Sequence, residues 1–176
     1  MYTKDIEALL VRRSEDRRFP IMHDEQTIGF RDAVEADLPA IINLLADDFL
    51  GGGREAAGAD DMAAYRTAFG AIEASPDNRL IVACRGERVV GNFQLTFIPG
   101  LSFTGGKRAQ IEAVRVDSGE RGNGIGGQMI QYGIAAARLE KCCLVQLAMN
   151  KQRTDTLRFY KRLGFEASHE GFKLML

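Results

Sequence analysis

A glycine-rich loop at residues 121–127, RGNGIGG, lies late in the chain between a strand-like segment and a helix-like segment. The preceding segment, RAQIEAVRV (108–116), has the composition of a strand, and the following one, about 124–139, has helical spacing of apolar residues. Glycine loses more conformational freedom on folding than any other residue, so this loop indicates a sharp turn or a close approach to another group. At a helix N-terminus it predicts an anion site, although an ordinary tight connection gives the same pattern.

Two phosphate-binding patterns overlap in this loop. Gly122, Gly124 and Gly127 satisfy G-x-G-x-x-G, the dinucleotide fingerprint, whereas Arg121, Gly124 and Gly126 satisfy R-x-x-G-x-G. A dinucleotide fold needs its fingerprint after an early strand and an acidic residue at the end of the next strand. Only about fifty residues follow this loop, and Glu140 comes before the next strand instead of after it. The second pattern is therefore the better description.

The remaining sequence predicts an α/β (mixed α+β) fold in the order β-α-α-β-β-β-α-β-α-β-β. Its central mixed sheet should hold about six to seven strands, flanked by about four helices. We expect residues 1–26 to form an N-terminal helical extension and residues 27–176 to form the main domain, with Met22 as an alternative start. The predicted elements are strands at 27–31, 80–98 (a hairpin), 108–116 and 142–149, helices at 34–50, 61–74, 124–139 and 154–163, and terminal strands ending in Phe172, Leu174 and Leu176.

The composition narrows the class of protein. A formal net charge of −1 gives no general attraction to nucleic acid or to an anionic membrane. No apolar run approaches the roughly 20 residues of a membrane span, and the charged N-terminus does not resemble a secretory signal. Three cysteines and two histidines without a ligand-like spacing predict neither a disulfide framework nor a metal site. We therefore expect a reduced, cytoplasmic protein.

Two segments together resemble one protein family. IEAVRVDSGERGNGIGGQMIQYG (111–133) resembles the acetyl-CoA-binding motif of the GNAT superfamily of N-acetyltransferases, and TLRFYKRLGFEASHEGFKLML (156–176) resembles its C-terminal motif. The order of predicted elements from residue 27 to the C-terminus also matches. A looser resemblance to diamine and spermidine acetyltransferases comes from the L/I-E-x-x-x-V strand and the E-G-x-x-L ending.

This resemblance implies a mixed sheet that is splayed between its fourth and fifth strands. Acetyl-CoA would be the co-substrate, its pantetheine arm pairing with the fourth strand and its pyrophosphate lying on the loop amides. The amine would enter from the opposite side. The residues implied in acetyl-CoA binding are Val114, Arg115, Val116, Arg121, Gly122, Asn123, Gly124, Ile125, Gly126 and Gly127.

The resemblance also assigns two catalytic residues. Tyr160 matches the family tyrosine that protonates the leaving thiolate, its alternative being a core tyrosine whose hydroxyl is bonded elsewhere. Glu112 matches a general base, its alternatives being a solvated carboxylate or a partner for Arg115. Two positions depart from the family pattern: Arg153 stands where many members have a cofactor-contacting Asn, and Ala113 stands where polyamine-acetylating relatives have Asp.

The predicted function is transfer of an acetyl group to a primary amine of a small molecule or peptide, with a homodimer as a possible assembly. The alternatives are an acetyl-CoA-binding sensor without catalysis and, more remotely, a dinucleotide-binding module. Substrate selection is expected from residues 47–61, which hold several carboxylates, and from the hairpin tip at 98–106. Helix caps and solvated charges would explain the same carboxylates. His169 and Glu170 form either the last turn or a substrate contact.

Overall fold

The computed structural model describes residues 27–47 and 59–176. The predicted helical extension (1–26) and most of the predicted substrate loop (47–61) lie outside these residues. The described part contains five strands and four helices of nine residues or more. They are β1 (Ile28–Asp32), α1 (Leu38–Ala46), α2 (Ala59–Ala74), β2 (Asn78–Arg85), β3 (Arg88–Ile98), β4 (Arg108–Val116), α3 (Ile125–Leu139), β5 (Leu144–Leu147) and α4 (Thr154–Arg162).

The strands form one mixed sheet in the order β1-β2-β3-β4-β5. Neighbouring strands from β1 to β4 are antiparallel, and β4 and β5 are parallel. The parallel pair requires a crossover, which the glycine loop and α3 provide. The α/β fold class and the predicted order through α4 are therefore confirmed.

The two terminal strands predicted after α4 are absent, so the described sheet has five strands instead of about six to seven. Residues 165–176 have no regular secondary structure. The alternating side chains of Phe172, Leu174 and Leu176 are 92%, 86% and 116% exposed. Alternation predicts a strand only where one face is buried against other elements, because strand propensity depends on packing and an isolated hairpin is marginally stable. The alternating residues at the C-terminus are exposed and pack against no other element of the described structure.

The main core lies between α3 and one face of the sheet. Ile125, Met129 and Ile130 of α3 are 0–1% exposed, as their spacing predicts, and they pack among the fully buried Phe93 and Ile111. Helices α1 and α2 cover part of the opposite sheet face through two smaller clusters. Among the described residues, no helix combines the length and apolar character needed to cross a membrane. The acidic, cysteine and histidine side chains in this part form no group of three or more that could hold a metal ion.

Candidate active site at the opening between β4 and β5

The fourth strand extends further than the fifth. Their parallel pairing begins at Arg108 with Leu144 and ends at Ile111 with Leu147, where β5 stops. Strand β4 continues for five residues to Val116, paired only with β3 on its other side. The sheet therefore opens between its fourth and fifth strands, as predicted. No strand among the described residues pairs with this edge of β4 beyond Ile111.

A β-bulge lies at the start of this free edge. Ala113 has a left-handed backbone (φ +51°), and the pairing of β3 with β4 shifts between Asn92 and Gln94. Asn92, which is fully buried, donates a hydrogen bond from Nδ2 to the carbonyl oxygen of Ala113 at 3.1 Å. This side chain replaces part of the strand ladder that the bulge interrupts. Its Oδ1 atom has no hydrogen-bond partner within the described part of the chain.

The bulge decides which side chains face the opening. Glu112 is paired with Gln94 and Arg115 with Asn92, so both lie on the sheet face away from α3 although they are three residues apart. Val114 and Val116 instead pack against the core beside α3. Sequence reasoning left the orientation of Glu112 open because the alternation in IEAVRV is imperfect. The two adjacent apolar residues at 113 and 114 interrupt the alternation, and this interruption was the sequence signal of the bulge.

The glycine loop turns directly into α3. Gly122 (φ +85°) and Gly124 (φ +77°) have left-handed backbones, and Gly124 is the N-cap of the helix. A Cβ atom at Gly122, Gly124 or Gly127 would meet no described atom within 4 Å. Glycine is therefore required at 122 and 124 by backbone conformation and not by crowding. The space over the helix N-terminus is open, which suits a bulky anion.

A carboxylate that sequence reasoning missed anchors this loop. Glu120 is 7% exposed and accepts hydrogen bonds from Arg85 at 2.9 and 3.2 Å, from Arg88, and from Asn123 at 3.4 Å. The hydrogen bond from Arg85 is the largest cause of a lowered pKa for Glu120. Arg85 ends β2 and Arg88 begins β3, so the two arginines flank the turn of this hairpin. The loop is thereby tied to the far end of that hairpin.

The side chain of Arg121 contacts two neighbouring segments of the protein. Its Nε donates to the carbonyl oxygen of Val116 at 3.1 Å, and its Nη2 contacts the carbonyl oxygen of Asp47 at 3.1 Å and the Asp47 carboxylate at 3.0 Å. Asp47 follows the last residue of α1. The side chain therefore links three elements: the end of β4, the glycine loop and the end of α1.

Tyr160 of α4 lies in an aromatic cluster beside this opening. Its ring centroid is 5.1 Å from that of Phe159 and 5.8 Å from that of Phe165, with edge-to-face geometry. Burial raises the pKa of Tyr160, an effect that the positive charges of Arg115 and Arg153 partly offset. Its hydroxyl forms no hydrogen bond within residues 27–47 and 59–176. The alternative of a core tyrosine bonded elsewhere thus finds no support in the described contacts.

Other predicted residues lie apart from these groups. The hairpin tip (98–106) precedes β4, so it lies at the opposite end of that strand from the glycine loop. Glu170 is exposed and pairs with Lys151 at 3.2 Å, and His169 contacts Ser168 at 2.8 Å. Glu112 is exposed and forms no ion pair with a described residue.

Residues 38–165 match the family model described as the acetyltransferase (GNAT) family. The chain belongs to the GNAT family. No curated protein sequence matches this GNAT chain. Among solved structures, a transcriptional regulator from Bacillus halodurans C-125 is 46% identical, with a TM-score of 0.83, covering 85% of this chain and 100% of that one.

Two further solved structures resemble this GNAT chain. An acetyltransferase from Trypanosoma brucei is 25% identical with a TM-score of 0.68, covering 85% of this chain and 100% of that chain. A predicted acetyltransferase from Clostridium acetobutylicum, whose structure contains acetyl-CoA, is 20% identical with a TM-score of 0.65. The alignment with the Clostridium acetobutylicum structure covers 85% of this chain and 96% of that chain, and it establishes that the two share a fold.

Proposed function

We propose that this chain transfers an acetyl group from acetyl-CoA to a primary amine of a small molecule or peptide. The observation that carries the proposal is the meeting of three features at one opening of the sheet. These are the free edge of β4, the open N-terminus of α3 behind the glycine loop, and the half-buried Tyr160. Membership of the GNAT family makes acetyl-CoA the expected co-substrate.

The residues present fit acetyl-CoA. The free backbone edge at Val114–Val116 would pair with the amide groups of the pantetheine arm, and the exposed loop amides would receive the pyrophosphate. When bound, the thioester supplies an activated acetyl group. The residues proposed to hold acetyl-CoA are Val114, Arg115, Val116, Arg121, Gly122, Asn123, Gly124, Ile125, Gly126 and Gly127.

Glu112 and Tyr160 would manage the two protons of the reaction. An alkylammonium group has a pKa near 10, so it must lose a proton before its nitrogen can attack. Glu112, exposed on the face away from α3, would take that proton directly or through water. As the new C–N bond forms and the C–S bond breaks, the departing thiolate would receive the Tyr160 proton. Tyrosine carries this proton at neutral pH, and burial raises the pKa of Tyr160 further.

A second candidate is an acetyl-CoA-binding regulator that does not turn its ligand over. It is favoured by the 46% identical chain, which is described as a transcriptional regulator. The presence of both Glu112 and an unbonded Tyr160 hydroxyl supports the enzyme.

The three cysteines are free, which supports a reducing compartment such as the cytoplasm for either function.

The test is loss of thioester absorbance from acetyl-CoA with a panel of polyamines, amino acids, amino sugars and short peptides. For an acceptor that is acetylated, Tyr160→Phe and Glu112→Gln should each lower kcat by roughly two orders of magnitude or more. Tyr132→Phe is the matched control, because its hydroxyl lies on α3 and meets Arg79 at 3.4 Å. It should keep nearly wild-type turnover. Binding of acetyl-CoA without acetylation of any amine would instead support the regulator.

A further inference from the structure

A row of polar side chains crosses the sheet on the face away from α3. Asn78 of β2 is paired with Thr96 of β3, Thr96 with Gln110 of β4, and Gln110 with Gln146 of β5. All four are partly buried. Paired residues lie on the same face of a sheet, so these four form one continuous line, which we call the amide row. It ends at the two strands that border the opening.

The β2–β3 half of the amide row is satisfied internally. Asn78 Oδ1 accepts hydrogen bonds from Thr96 Oγ1 at 2.7 Å and from Gln94 Nε2 at 3.2 Å. Asn78 Nδ2 donates to Ser75 Oγ at 2.9 Å. These contacts hold the side chains in place and give this half a structural role.

The β4–β5 half keeps unused hydrogen-bonding capacity. Gln146 Nε2 donates to Gln110 Oε1 at 2.7 Å, and neither amide has another hydrogen-bond partner among the described residues. One amide NH₂ and one amide oxygen therefore remain available, and reversing both amides leaves the same two groups. Partly buried polar groups of this kind favour a partner that both donates and accepts.

This glutamine pair lies at the floor of the opening. It is one residue before the last pairing of β4 with β5, Ile111 with Leu147. Glu112, the proposed base, lies two residues further along β4 on the same face, which is roughly 6–7 Å along the strand. An amine at Glu112 would therefore place the neighbouring part of its molecule over Gln110 and Gln146.

The charges on β3, β4 and β5 do not favour a second ammonium group on this face. Glu112 is the only carboxylate on β3, β4 and β5. Arg108, paired with Ile98, and Arg115, paired with Asn92, lie on the same face of β4 as Gln110 and Glu112. A diamine whose first nitrogen lies at Glu112 would find no second carboxylate on these three strands to receive its other positive charge.

We infer that Gln110 and Gln146 form an acceptor subsite that selects amines carrying a neutral donor–acceptor group, an amide or neighbouring hydroxyls, instead of a second ammonium. This inference rests on the proposed function and adds its substrate class. Both sources of that chemistry, aminoacyl amides and amino sugars, carry the neutral group within a few bonds of the reacting nitrogen, and the side chains of Glu112 and Gln110 would converge on it from strand positions roughly 6–7 Å apart.

The experiment measures kcat/KM of the full chain for matched acceptors. β-Alaninamide is compared with isopentylamine, glucosamine with cyclohexylamine, and putrescine is the dication. We expect the wild type to prefer the polar member of at least one pair, which also distinguishes amides from sugars. Gln146→Leu should lower that preference at least about tenfold by removing a hydrogen-bonding partner while the Kd for acetyl-CoA stays unchanged. Comparing variants on the same acceptors cancels differences in amine basicity.

Two further variants complete the design. Thr96→Val is the matched control, because it removes a polar group from the same row but away from the opening, and it should keep the wild-type preference. Gln146→Glu keeps the size of the side chain and should shift selectivity toward putrescine, which provides the test if the leucine variant does not fold.

The outcomes separate the two proposals. A preference for putrescine or the alkylamines in the wild type, or equal preferences in the wild type and both Gln146 variants, overturns the subsite while the acetyltransferase stands. Failure to acetylate any of the five amines or any member of the wider panel, despite acetyl-CoA binding, overturns both.

Discussion

Tyr160 shows how a side chain can be fixed without using its functional group. Phe159 and Phe165 contact its ring, yet the hydroxyl has no hydrogen-bond partner in the described structure. The motif FYKRLGF indicates the residue, and the helix amphipathicity indicates that it is partly buried. Neither pattern reveals that Arg115, on the fourth strand of the sheet, lies close enough to influence its pKa.

We predict that more than half of Tyr160 is protonated at pH 10.0, the ordinary pKa of tyrosine, because burial raises its pKa. The protein has four tyrosines, so the ultraviolet absorbance of tyrosinate is titrated in the wild type and in Tyr160→Phe. The difference between the two curves reports on Tyr160 alone. The difference curve should have its midpoint above 10.0. A midpoint below that value would contradict the burial described for the ring.

Glu120 is a positioning residue for the glycine loop. The ordinary pKa of glutamate, 4.5, is lowered in the folded protein mainly by the hydrogen bond from Arg85. A lowered folded-state pKa means that the stabilisation is complete above the unfolded-state value and is lost as pH falls through the folded-state value. Glu120→Gln should therefore flatten the fall of Tm with decreasing pH below 4.5.

The same variant should weaken acetyl-CoA binding several-fold at neutral pH, because the loop loses its anchor to Arg85 and Arg88. Glu140→Gln is the control: it removes a 2.8 Å ion pair with Lys107 just after the far end of α3. Isothermal titration of acetyl-CoA gives both Kd values. Equal effects of the two variants on Kd would show that Glu120 does not position the loop.

At the scale of elements, the β4–loop–α3 unit is the part that sequence predicts best. The apolar pattern of 108–116, the glycines and the helical spacing each determine a local structure, and long-range packing changes it only at the bulge. The bulge at Ala113 was missed because it depends on Asn92 of another strand, 21 residues away. The prediction of terminal strands was wrong. Alternation at 172–176 gives the segment one apolar face, but no other element packs against that face in the described structure.

Relief of backbone strain at the bulge can be measured. A left-handed residue with a Cβ costs roughly 1–2 kcal/mol, and the greater freedom of glycine in the unfolded chain offsets about 0.4–1 kcal/mol of that. We therefore expect Ala113→Gly to raise the free energy of unfolding by about 0.5–1 kcal/mol. Ala109→Gly, at a buried position of the same strand without positive φ, should lower it. Urea denaturation of both variants decides whether Ala113 is strained.

At the scale of the whole molecule, one ligand should stabilise several elements together. Acetyl-CoA bound at the opening would contact β4, the glycine loop and α4, which contribute to the main core. At a free concentration one hundred times its Kd, it should raise the free energy of unfolding by about 2.7 kcal/mol. Thermal unfolding in the presence of acetyl-CoA or of NAD measures this stabilisation by the ligand. Protection by NAD instead would favour a dinucleotide-binding module.

The bulge in β4 also limits how this segment can change in length. The strand holds one residue more than its partner requires, and that surplus brings Glu112 and Arg115 to one face and Val114 to the other. Loss of the surplus residue itself would restore plain alternation and leave Val114, Arg115 and Val116 on their present faces, because they would follow Glu112 directly. Over evolutionary time this strand should therefore tolerate loss of one residue at the bulge more readily than gain of a second one, which would exchange the faces of the residues that follow.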